Sequence, residues 1–351
     1  GDVYKRQVHG TGGYLVFNHS VYQWVFNIKE ESVYWCTADM GWVTGHSSIV
    51  YAPLSHGAAI VLYEGAPDYP ELDRWWDIIE KYGVTIFYTS PTAIRMFMKH
   101  GEVWLEKHDL SSLELLGSVG EPMNPEVWLW YYQNVCRGQC PIVDTWWQTE
   151  TGGIMISLSP GIESMPLKPG SVGLPLPGIH ALVVDEKGKP APPGEKGYLT
   201  IGKPWPGMLM TIYRDPERYK EAYWQRFPGL FYTGDYAVRD SEGYFWILGR
   251  ADEILKIAGH RIGTLEIENA ATSHPAVAEA AAVGRTDPIR GEAIVIFAIL
   301  REGFTPSPAL RANLREHLRQ SMGPVATPDE IYFVSKLPKT KSGKIMRRLL
   351  K

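Results

Sequence analysis

The chain has 351 residues, of which 44% are hydrophobic, so it is long enough to bury a sizeable core and to form more than one domain. Its formal net charge of −4 argues against the basic surface that phosphate-backbone binding normally requires, so we expect no nucleic-acid partner. No apolar run approaches the roughly 18–20 residues of a membrane-spanning helix, so no membrane association is predicted.

The first interpretable pattern along the chain begins at Val8. Gly1–Gln7 resembles neither a helix cap nor a strand and lacks an initiator methionine, so we interpret it as the end of an incomplete sequence. An amphipathic helix is then predicted by apolar residues at the spacing i, i+3, i+4 and i+7, namely Leu72, Trp75, Trp76 and Ile79. A strand is predicted at 84–88, and Pro91 is placed to open the next helix.

Strands and helices continue to alternate after this helix. A strand is predicted at 113–116, a helix capped by Asn124 with Pro125 in its first turn follows, and a third strand is predicted at 141–144. This alternation predicts a parallel sheet with helices on its faces. Because ligands of such sheets bind beyond the carboxyl ends of the strands, the residues after each strand are the candidates for a site.

The composition changes near residue 169, where prolines and glycines become frequent. Short apolar runs such as 181–184 and 197–201 lie between them, and this pattern predicts a β-rich subdomain with tight turns over 169–251. Residues 1–168 would form the α/β portion that precedes it.

A small α+β domain is predicted for 252–351, in the order helix, strand, strand, helix and strand. One face of its second helix is marked by Leu310, Leu314 and Leu318.

Six polar or glycine-rich segments stand where loops should follow strands or near the C-terminus: Gly41-Trp-Val-Thr-Gly-His46, Gly117-Ser-Val-Gly-Glu-Pro122, Asp144-Thr-Trp-Trp-Gln-Thr-Glu-Thr-Gly-Gly153, Tyr232-Thr-Gly-Asp235, the stretch 249–261 and Pro338-Lys-Thr-Lys-Ser-Gly-Lys344. Each has an ordinary structural interpretation when taken alone. Trp146 and Trp147 could pack in the core, Asp235 could cap a turn, and the lysine-rich segment could be a solvated tail. Their occurrence together, in this order, argues against those interpretations as a set.

The set resembles the acyl-adenylate-forming superfamily, and most closely the AMP-forming acetyl-CoA synthetases, from about Val8 to the end of the chain. The resemblance implies an α/β fold. It consists of part of a large adenylate-forming N-terminal domain, with a parallel sheet and a β-rich subdomain, followed by a small mobile α+β C-terminal domain. It also implies a ligase that converts acetate, ATP and CoA to acetyl-CoA, AMP and pyrophosphate through an enzyme-bound acetyl-adenylate.

The resemblance further assigns the nucleotide contacts. Those to ATP or AMP would come from Gly120, Glu121, Pro122, Asp144, Thr145, Trp146, Trp147, Gln148 and Thr149. Asp235 would accept hydrogen bonds from the ribose hydroxyls, while Arg250 and Arg261 would donate to the ribose and phosphates. Thr149 and Glu150 would offer oxygen ligands to a phosphate-bound Mg²⁺.

Lys344 is implied to be the catalytic lysine of the adenylation step. Its charge would lie between the acyl carboxylate and the α-phosphate, two anions that repel each other. The resemblance also implies regulation by acetylation, which removes that charge, so a lysine acetyltransferase and a deacetylase are expected partners of Lys344.

The resemblance assigns the acyl pocket to Trp42, Val43, Val119 and Trp147. Trp147 would leave room for little more than a methyl group. Since one methylene changes binding by only ~1–3 kcal/mol, acetate is favoured over long chains, and a propionyl- or other short-chain acyl-CoA synthetase is the alternative.

The thioester-forming step is implied to need a second domain orientation, with Asp252 as the hinge. Thr44 and Arg319 match CoA-contacting positions. Ala258 stands where a serine is usual and Asp68 where an asparagine is usual, so the affinity for CoA is expected to differ. A further Mg²⁺ site is implied at Thr272, His274 and Val277, although His274 could simply be a helix-end residue.

One expected feature is missing. The superfamily's phosphate-binding loop should lie before Val8, and Gly10–Gly13 lacks the lysine that would replace it. A non-catalytic nucleotide-binding fragment is therefore a further alternative.

The chain has three cysteines, Cys36, Cys136 and Cys140, which are too few for a disulfide framework. This number favours free thiols and a cytoplasmic location.

Overall fold

The computed structural model describes residues 6–258, 260–339 and 345–351. These residues divide into two compact units. Unit 1 takes in the described residues up to Thr233 together with Ala237–Ile247, and unit 2 takes in Gly234–Tyr236 and the described residues from Leu248 onward.

The strands are, in chain order, β1 Gln7–His9, β2 Val33–Cys36, β3 Ala59–Ile60, β4 Ile86–Thr89, β5 Leu115–Ser118, β6 Ile142–Asp144, β7 Ile156–Ser157, β8 Leu174–Pro175, β9 Ala181–Val184, β10 Lys196–Ile201, β11 Leu209–Ile212, β12 Phe231–Arg239, β13 Phe245–Arg250, β14 Ile254–Ile257, β15 His260–Gly263, β16 Val277–Asp287, β17 Gly291–Leu300 and β18 Glu330–Phe333. The α-helices are α1 Thr11–Phe26, α2 Val43–Gly45, α3 Ala52–Ser55, α4 Arg74–Tyr82, α5 Pro91–His100, α6 Pro125–Trp130, α7 Pro216–Tyr223, α8 Thr264–Thr272 and α9 Pro308–Met322. Two π-helical turns, His46–Tyr51 and Tyr131–Val135, join α2 to α3 and extend α6.

A parallel sheet in the order β3–β2–β4–β5–β6 lies at the centre of unit 1, which confirms the α/β prediction. Side chains of a strand alternate between the two faces of its sheet. Tyr34 and Tyr88 accordingly contact Phe26 of α1 on one face. Trp35 and Phe87 lie on the other face and pack against Trp75 of α4. Each face therefore has an aromatic core that fixes the strands.

Two helices begin where their capping signals predict. Asn124 Oδ1 accepts a hydrogen bond from the backbone N–H of Val127 at 3.0 Å, with Pro125 in the first turn of α6. Ser90 does the same at the start of α5, which Pro91 opens. The helix predicted from Leu72 begins two residues late, at Arg74, because a turn precedes it.

The expectation that Gly1–Gln7 forms no element is wrong at Gln7. Gln7 begins β1 and pairs with Ile212 of the antiparallel strand β11. That partner lies far along the chain, so no local pattern could reveal it.

A four-stranded sheet in the order β13–β12–β10–β9 lies within 169–251, as the β-rich pattern predicts, whereas the pairs β1–β11 and β7–β8 each include a strand from before residue 169. The bounds of the subdomain stay a prediction. Strand β9 has the bounds that the apolar run predicts.

The sheet of unit 2 has the order β15–β14–β17–β16, with β18 parallel to β17. The predicted succession of helix, strand, strand, helix and strand corresponds to α8, β16, β17, α9 and β18, whereas the preceding hairpin β14–β15 was not predicted. Leu314 and Leu318 of α9 are fully buried, as expected. Across the described residues, none of the helices has the length and apolarity needed to cross a bilayer.

Candidate nucleotide-binding and active site

Hydroxyl side chains gather at the carboxyl edge of the parallel sheet. Thr37 and Thr89, which follow or end neighbouring strands, share a hydrogen bond of 2.7 Å between their Oγ1 atoms. Thr145, directly after β6, donates its backbone N–H and its hydroxyl to the carbonyl oxygen of Ser118, at 3.0 and 2.8 Å. The segments that follow β5 and β6, both predicted to contact the nucleotide, are therefore tied together.

The loop after β5 contains the predicted residues Gly120, Glu121 and Pro122. The backbone N–H of Val119 donates to Thr89 O at 3.0 Å and fixes the start of the loop. Gly120 has a φ of +100°, a conformation that glycine adopts far more readily than residues with a Cβ atom. The glycine is therefore required by the turn.

The carboxylate of Glu121 is held by α5. Its Oε1 accepts a hydrogen bond from Arg95 Nη2 at 2.6 Å and another from the hydroxyl of Thr92. Both partners of the ion pair are largely shielded, with side-chain exposures of 23% and 25%, so water weakens it less than at an open surface. Glu121 thus contributes a paired rather than an isolated negative charge.

Asp144, the last residue of β6, has a buried carboxyl group. Burial raises the pKa of Asp144 to about 8, and the negative charge of Glu121 acts in the same direction. The backbone N–H of Thr145 donates to Asp144 Oδ1 at 3.0 Å and lowers the pKa, but this hydrogen bond does not offset burial. The group is therefore mostly protonated and neutral at pH 7.

The predicted segment continues through Trp146, Gln148 and Thr149. Trp146 is buried and forms an antiparallel bridge with Ile156. Gln148 Nε2 donates to Thr233 O at 2.9 Å, and Thr149 O lies 2.8 Å from Nε2 of His9. The backbone of this segment is thus held by strands from distant parts of unit 1.

Two of the four predicted acyl-pocket residues lie on these segments. Trp147 Nε1 donates to the hydroxyl of Tyr88 at 3.3 Å, and that hydroxyl lies 2.6 Å from Thr145 Oγ1. Val119 is buried, whereas Trp42 is 52% exposed and Val43 is half-buried. The structure therefore ties the indole of Trp147, within the segment predicted to contact the nucleotide, to Tyr88 of β4.

Glu150 is the predicted carboxylate ligand for Mg²⁺. Its Oε1 accepts hydrogen bonds from Gln7 Nε2 at 3.0 Å and from the Tyr223 hydroxyl at 2.8 Å. Both of these bonds reach the same oxygen, so Oε2 remains suited to a hard cation. The donor set fits Mg²⁺, although among the described residues no cluster of three or more His, Cys, Asp or Glu side chains could hold a metal without further ligands.

In unit 2, Arg250 links two predicted residues. Its Nη1 lies 3.4 Å from Asp235 Oδ1, and its Nε lies 3.3 Å from Asp252 Oδ1. A Cβ atom on Gly234 would approach the guanidinium to 2.7 Å, so the glycine makes room for this side chain. The predicted ribose-binding aspartate and the predicted hinge aspartate therefore share one cation.

Arg261 and Ala258 lie on the hairpin that was not predicted. Arg261 pairs with Lys256 across β14 and β15, and Ala258, in the turn, has a left-handed φ of +49°. Lys344, the predicted catalytic residue, lies outside the described residues.

The predicted second metal site contains Thr272, His274 and Val277. Nδ1 of His274 accepts a hydrogen bond from Ala276 N–H at 3.1 Å, and its Nε2 lies 2.6 Å from Asn313 Oδ1. Both ring nitrogens of His274 thus have protein partners. A cation at this site would have to displace one of these hydrogen bonds or use the backbone carbonyl oxygen of His274. The metal assignment stays a prediction.

The remaining predicted CoA contacts are dispersed. Thr44 is half-buried in α2 of unit 1, and Asp68 is exposed in a turn. In unit 2, Arg319 is exposed on α9, 3.9 Å from Glu316. These assignments also stay predictions.

Sequence reasoning missed Arg95, Thr92, Tyr88 and His9. Arg95 and Thr92 lie on a helix face, where a charged group or hydroxyl is ordinarily solvated. The position of Tyr88 is typical of an apolar residue in a buried strand. Only the position of Thr92, two residues after the cap Ser90, hinted at a role at the helix N-terminus.

Comparisons with known proteins test the family that the motifs predict. A family model described as AMP-binding enzyme matches residues 8–213, and one described as AMP-binding enzyme C-terminal domain matches residues 266–344. They confirm the family that the motifs predict.

Curated relatives match almost the whole chain. It is 61% identical to an acetyl-coenzyme A synthetase of Pyrobaculum aerophilum and 57% identical to one of Rubrobacter xylanophilus, in each case over 99% of this chain. The matches cover 52% and 54% of those proteins, so the chain spans about half the length of the curated relatives it matches. Among solved structures, the anthranilate CoA ligase AuaEII in complex with anthranoyl-AMP has a TM-score of 0.85 and 30% identity, over 97% of this chain and 63% of that one.

Proposed function

Because this chain belongs to the AMP-binding enzyme family, we propose that it forms part of an AMP-forming acetate–CoA ligase. The reaction converts acetate, ATP and CoA to acetyl-CoA, AMP and pyrophosphate through an enzyme-bound acetyl-adenylate. The high identity to acetyl-coenzyme A synthetases over nearly the whole chain supports this substrate set.

One observation carries the proposal. Thr145 joins the loop after β5 to the segment after β6, and the same hydroxyl meets Tyr88, which holds Trp147. The proposed adenine-binding segments and the proposed acyl-pocket tryptophan therefore belong to one hydrogen-bonded assembly. An enzyme that joins an acyl group to a nucleotide phosphate needs this proximity.

In the adenylation step an acetate oxygen attacks the α-phosphate, and pyrophosphate leaves with the electron pair of the broken P–O bond. Two anions must approach each other, so cations provide most of the stabilisation. We assign this role to Lys344, Arg250 and Arg261, with Asp235 binding the ribose. Mg²⁺ held by Thr149 and Glu150 would neutralise phosphate charge.

The size of the acid is assigned to Trp147, Val119, Trp42 and Val43. The hydrogen bond from its indole nitrogen to Tyr88 limits the rotation of Trp147, so the indole can act as a rigid wall. Such a wall excludes long acyl chains by volume.

The thioester step is assigned to a second arrangement about Asp252, in which Thr44, Ala258 and Arg319 contact CoA. A thiol of CoA then attacks the acetyl carbon, and AMP leaves. Acetylation of Lys344 would abolish the adenylation step alone.

We place the protein in the cytoplasm, because a reducing compartment would keep its three cysteines as free thiols.

The test is acetate-dependent exchange of pyrophosphate into ATP. It is measured on this chain and on an extended chain, meaning a protein that contains this sequence and has the full length of the curated relatives. Exchange in the extended chain that disappears in Lys344→Ala supports the proposal. Lack of exchange in the extended chain, or its survival in Lys344→Ala, refutes it.

The same assay separates the alternatives. A higher kcat/KM with propionate than with acetate would identify a propionyl-CoA synthetase. Exchange by the extended chain only would show that these residues alone are a non-catalytic fragment, an alternative favoured by the half-length coverage of the relatives.

A further inference from the structure

Arg347 is held by three hydrogen bonds to two glutamates of unit 2. Its Nε and Nη2 donate to the two carboxylate oxygens of Glu268 at 2.9 and 2.6 Å, and its Nη1 donates to Glu253 Oε2 at 3.0 Å. The side chains of Arg347 and Glu268 are only 10% and 7% exposed. A bidentate fork of this kind fixes the orientation as well as the position of the guanidinium.

Glu268 is itself anchored in the core of unit 2. It lies on α8, and its Oε1 also accepts a hydrogen bond from the backbone N–H of Ala282 on β16 at 2.8 Å. Burial raises the pKa of Glu268, and the positive charge of Arg347 opposes this shift. Arg347 is thus tied to a helix and a central strand at once.

A second attachment lies on the other side of residues 340–344. Lys339 forms an ion pair of 2.6 Å with Glu279 on β16 and an antiparallel bridge with Ile345. The backbone N–H of Met346 donates to Pro338 O at 2.8 Å. The chain is therefore fixed where it leaves the described residues and where it returns to them.

We propose that Arg347, through Glu268 and Glu253, is a positioning residue for the adenylation reaction, because it fixes the chain three residues beyond Lys344. The inference rests on the proposed function of Lys344. A lysine charge on a flexible four-carbon stem helps the reaction only when its backbone is held in place. Arg347 thus acts through the chain that leads to Lys344, a residue that itself lies outside the described part of the structure.

The neighbouring residue provides a matched control. Arg348 has the same charge and adjoins Arg347, but it is exposed. If only the basic charge of the segment mattered, the two arginines would be equivalent.

The experiment compares the two half-reactions in the extended chain. Arg347→Ala is expected to lower kcat for acetate-dependent pyrophosphate exchange about 100-fold, the order of loss that a misplacement of ~1 Å causes. KM for ATP and acetate should change little, and so should formation of acetyl-CoA from supplied acetyl-adenylate, in which Lys344 takes no part. Arg347→Lys, which keeps the charge but loses the fork, should lie in between, and Arg348→Ala should match the unsubstituted protein.

Glu268→Gln, which retains an acceptor for Ala282, provides a milder perturbation if Arg347→Ala proves unstable in urea unfolding.

The inference is overturned if Arg347→Ala and Glu268→Gln keep full exchange, or if both half-reactions fall in parallel, as general destabilisation would cause. In either case exchange that still depends on Lys344 leaves the proposed function intact. If the unsubstituted extended chain shows no exchange, the proposed function itself fails.

Discussion

The buried carboxyl group of Asp144 predicts an unusual dependence of stability on pH. Its pKa is raised by burial from an ordinary value of 3.8 to about 8 in the folded chain. Because the folded pKa is above the unfolded one, the stability that the neutral group provides is complete below about pH 4 and is lost as the pH rises to about 8. Acidification to pH 5 should thus stabilise this part of the protein.

The magnitude follows from the proton balance. Between pH 5 and 7 the unfolded state has released the proton and the folded state has kept it, so the free energy of unfolding falls by about 1.4 kcal/mol per pH unit from this group. Over those two units the loss is roughly 3 kcal/mol, a large part of the ~5–15 kcal/mol that stabilises a typical domain. Asp144→Asn removes the titration and keeps the shape.

Urea unfolding of both proteins at pH 5, 6, 7 and 8 measures this effect. The difference in unfolding free energy between Asp144→Asn and the unsubstituted chain should grow in favour of the substitution as the pH rises, and should level off above pH 8. Titrating groups that do not interact with Asp144 cancel in this difference. Parallel curves for the two proteins would refute a protonated Asp144.

Three further substitutions have definite outcomes. Ala258→Gly relieves a left-handed φ that costs roughly 1 kcal/mol, so the free energy of unfolding should rise by about 0.5 kcal/mol after the entropy of glycine is subtracted; a decrease in urea unfolding would contradict this. Gly120→Ala introduces a Cβ at a φ of +100° and should cost about 1–3 kcal/mol of stability and weaken AMP binding in calorimetry of the extended chain; unchanged affinity would separate the loop from the nucleotide. Trp147→Ala removes the wall held by Tyr88 and should raise the ratio of kcat/KM for butyrate over acetate at least about 10-fold in the extended chain; an unchanged ratio would remove Trp147 from the acyl pocket.

Much of the fold could be predicted from local signals. Pro91, and Asn124 followed by Pro125, mark helix starts, and apolar runs between them mark parallel strands. Because parallel strands place their carboxyl ends at one edge, the positions of Gly120 and Asp144 followed from the order of elements alone.

The rest depended on contacts between distant residues. The pairing of Gln7 with Ile212, of Arg95 with Glu121 and of Arg347 with Glu268 joins positions that no local periodicity connects. The hairpin β14–β15 was missed for a related reason. Its short strands carry Lys256 and Arg261, whose charges resemble a ligand-binding loop more than a pair of strands.

The carboxylates of the proposed nucleotide segments share a physical problem, because the proposed substrate ATP would bring several negative charges to them. Each acidic group is treated differently. Asp144 is kept neutral by burial, and Glu121 is paired with Arg95. Glu150 accepts hydrogen bonds from Gln7 and Tyr223 at one oxygen, which leaves a carboxylate suited to a magnesium ion that accompanies the phosphates. Under the proposed function, these three acidic residues are compatible with an anionic substrate. Arg95, which the sequence does not single out, is then as necessary to that end as the motif residues themselves.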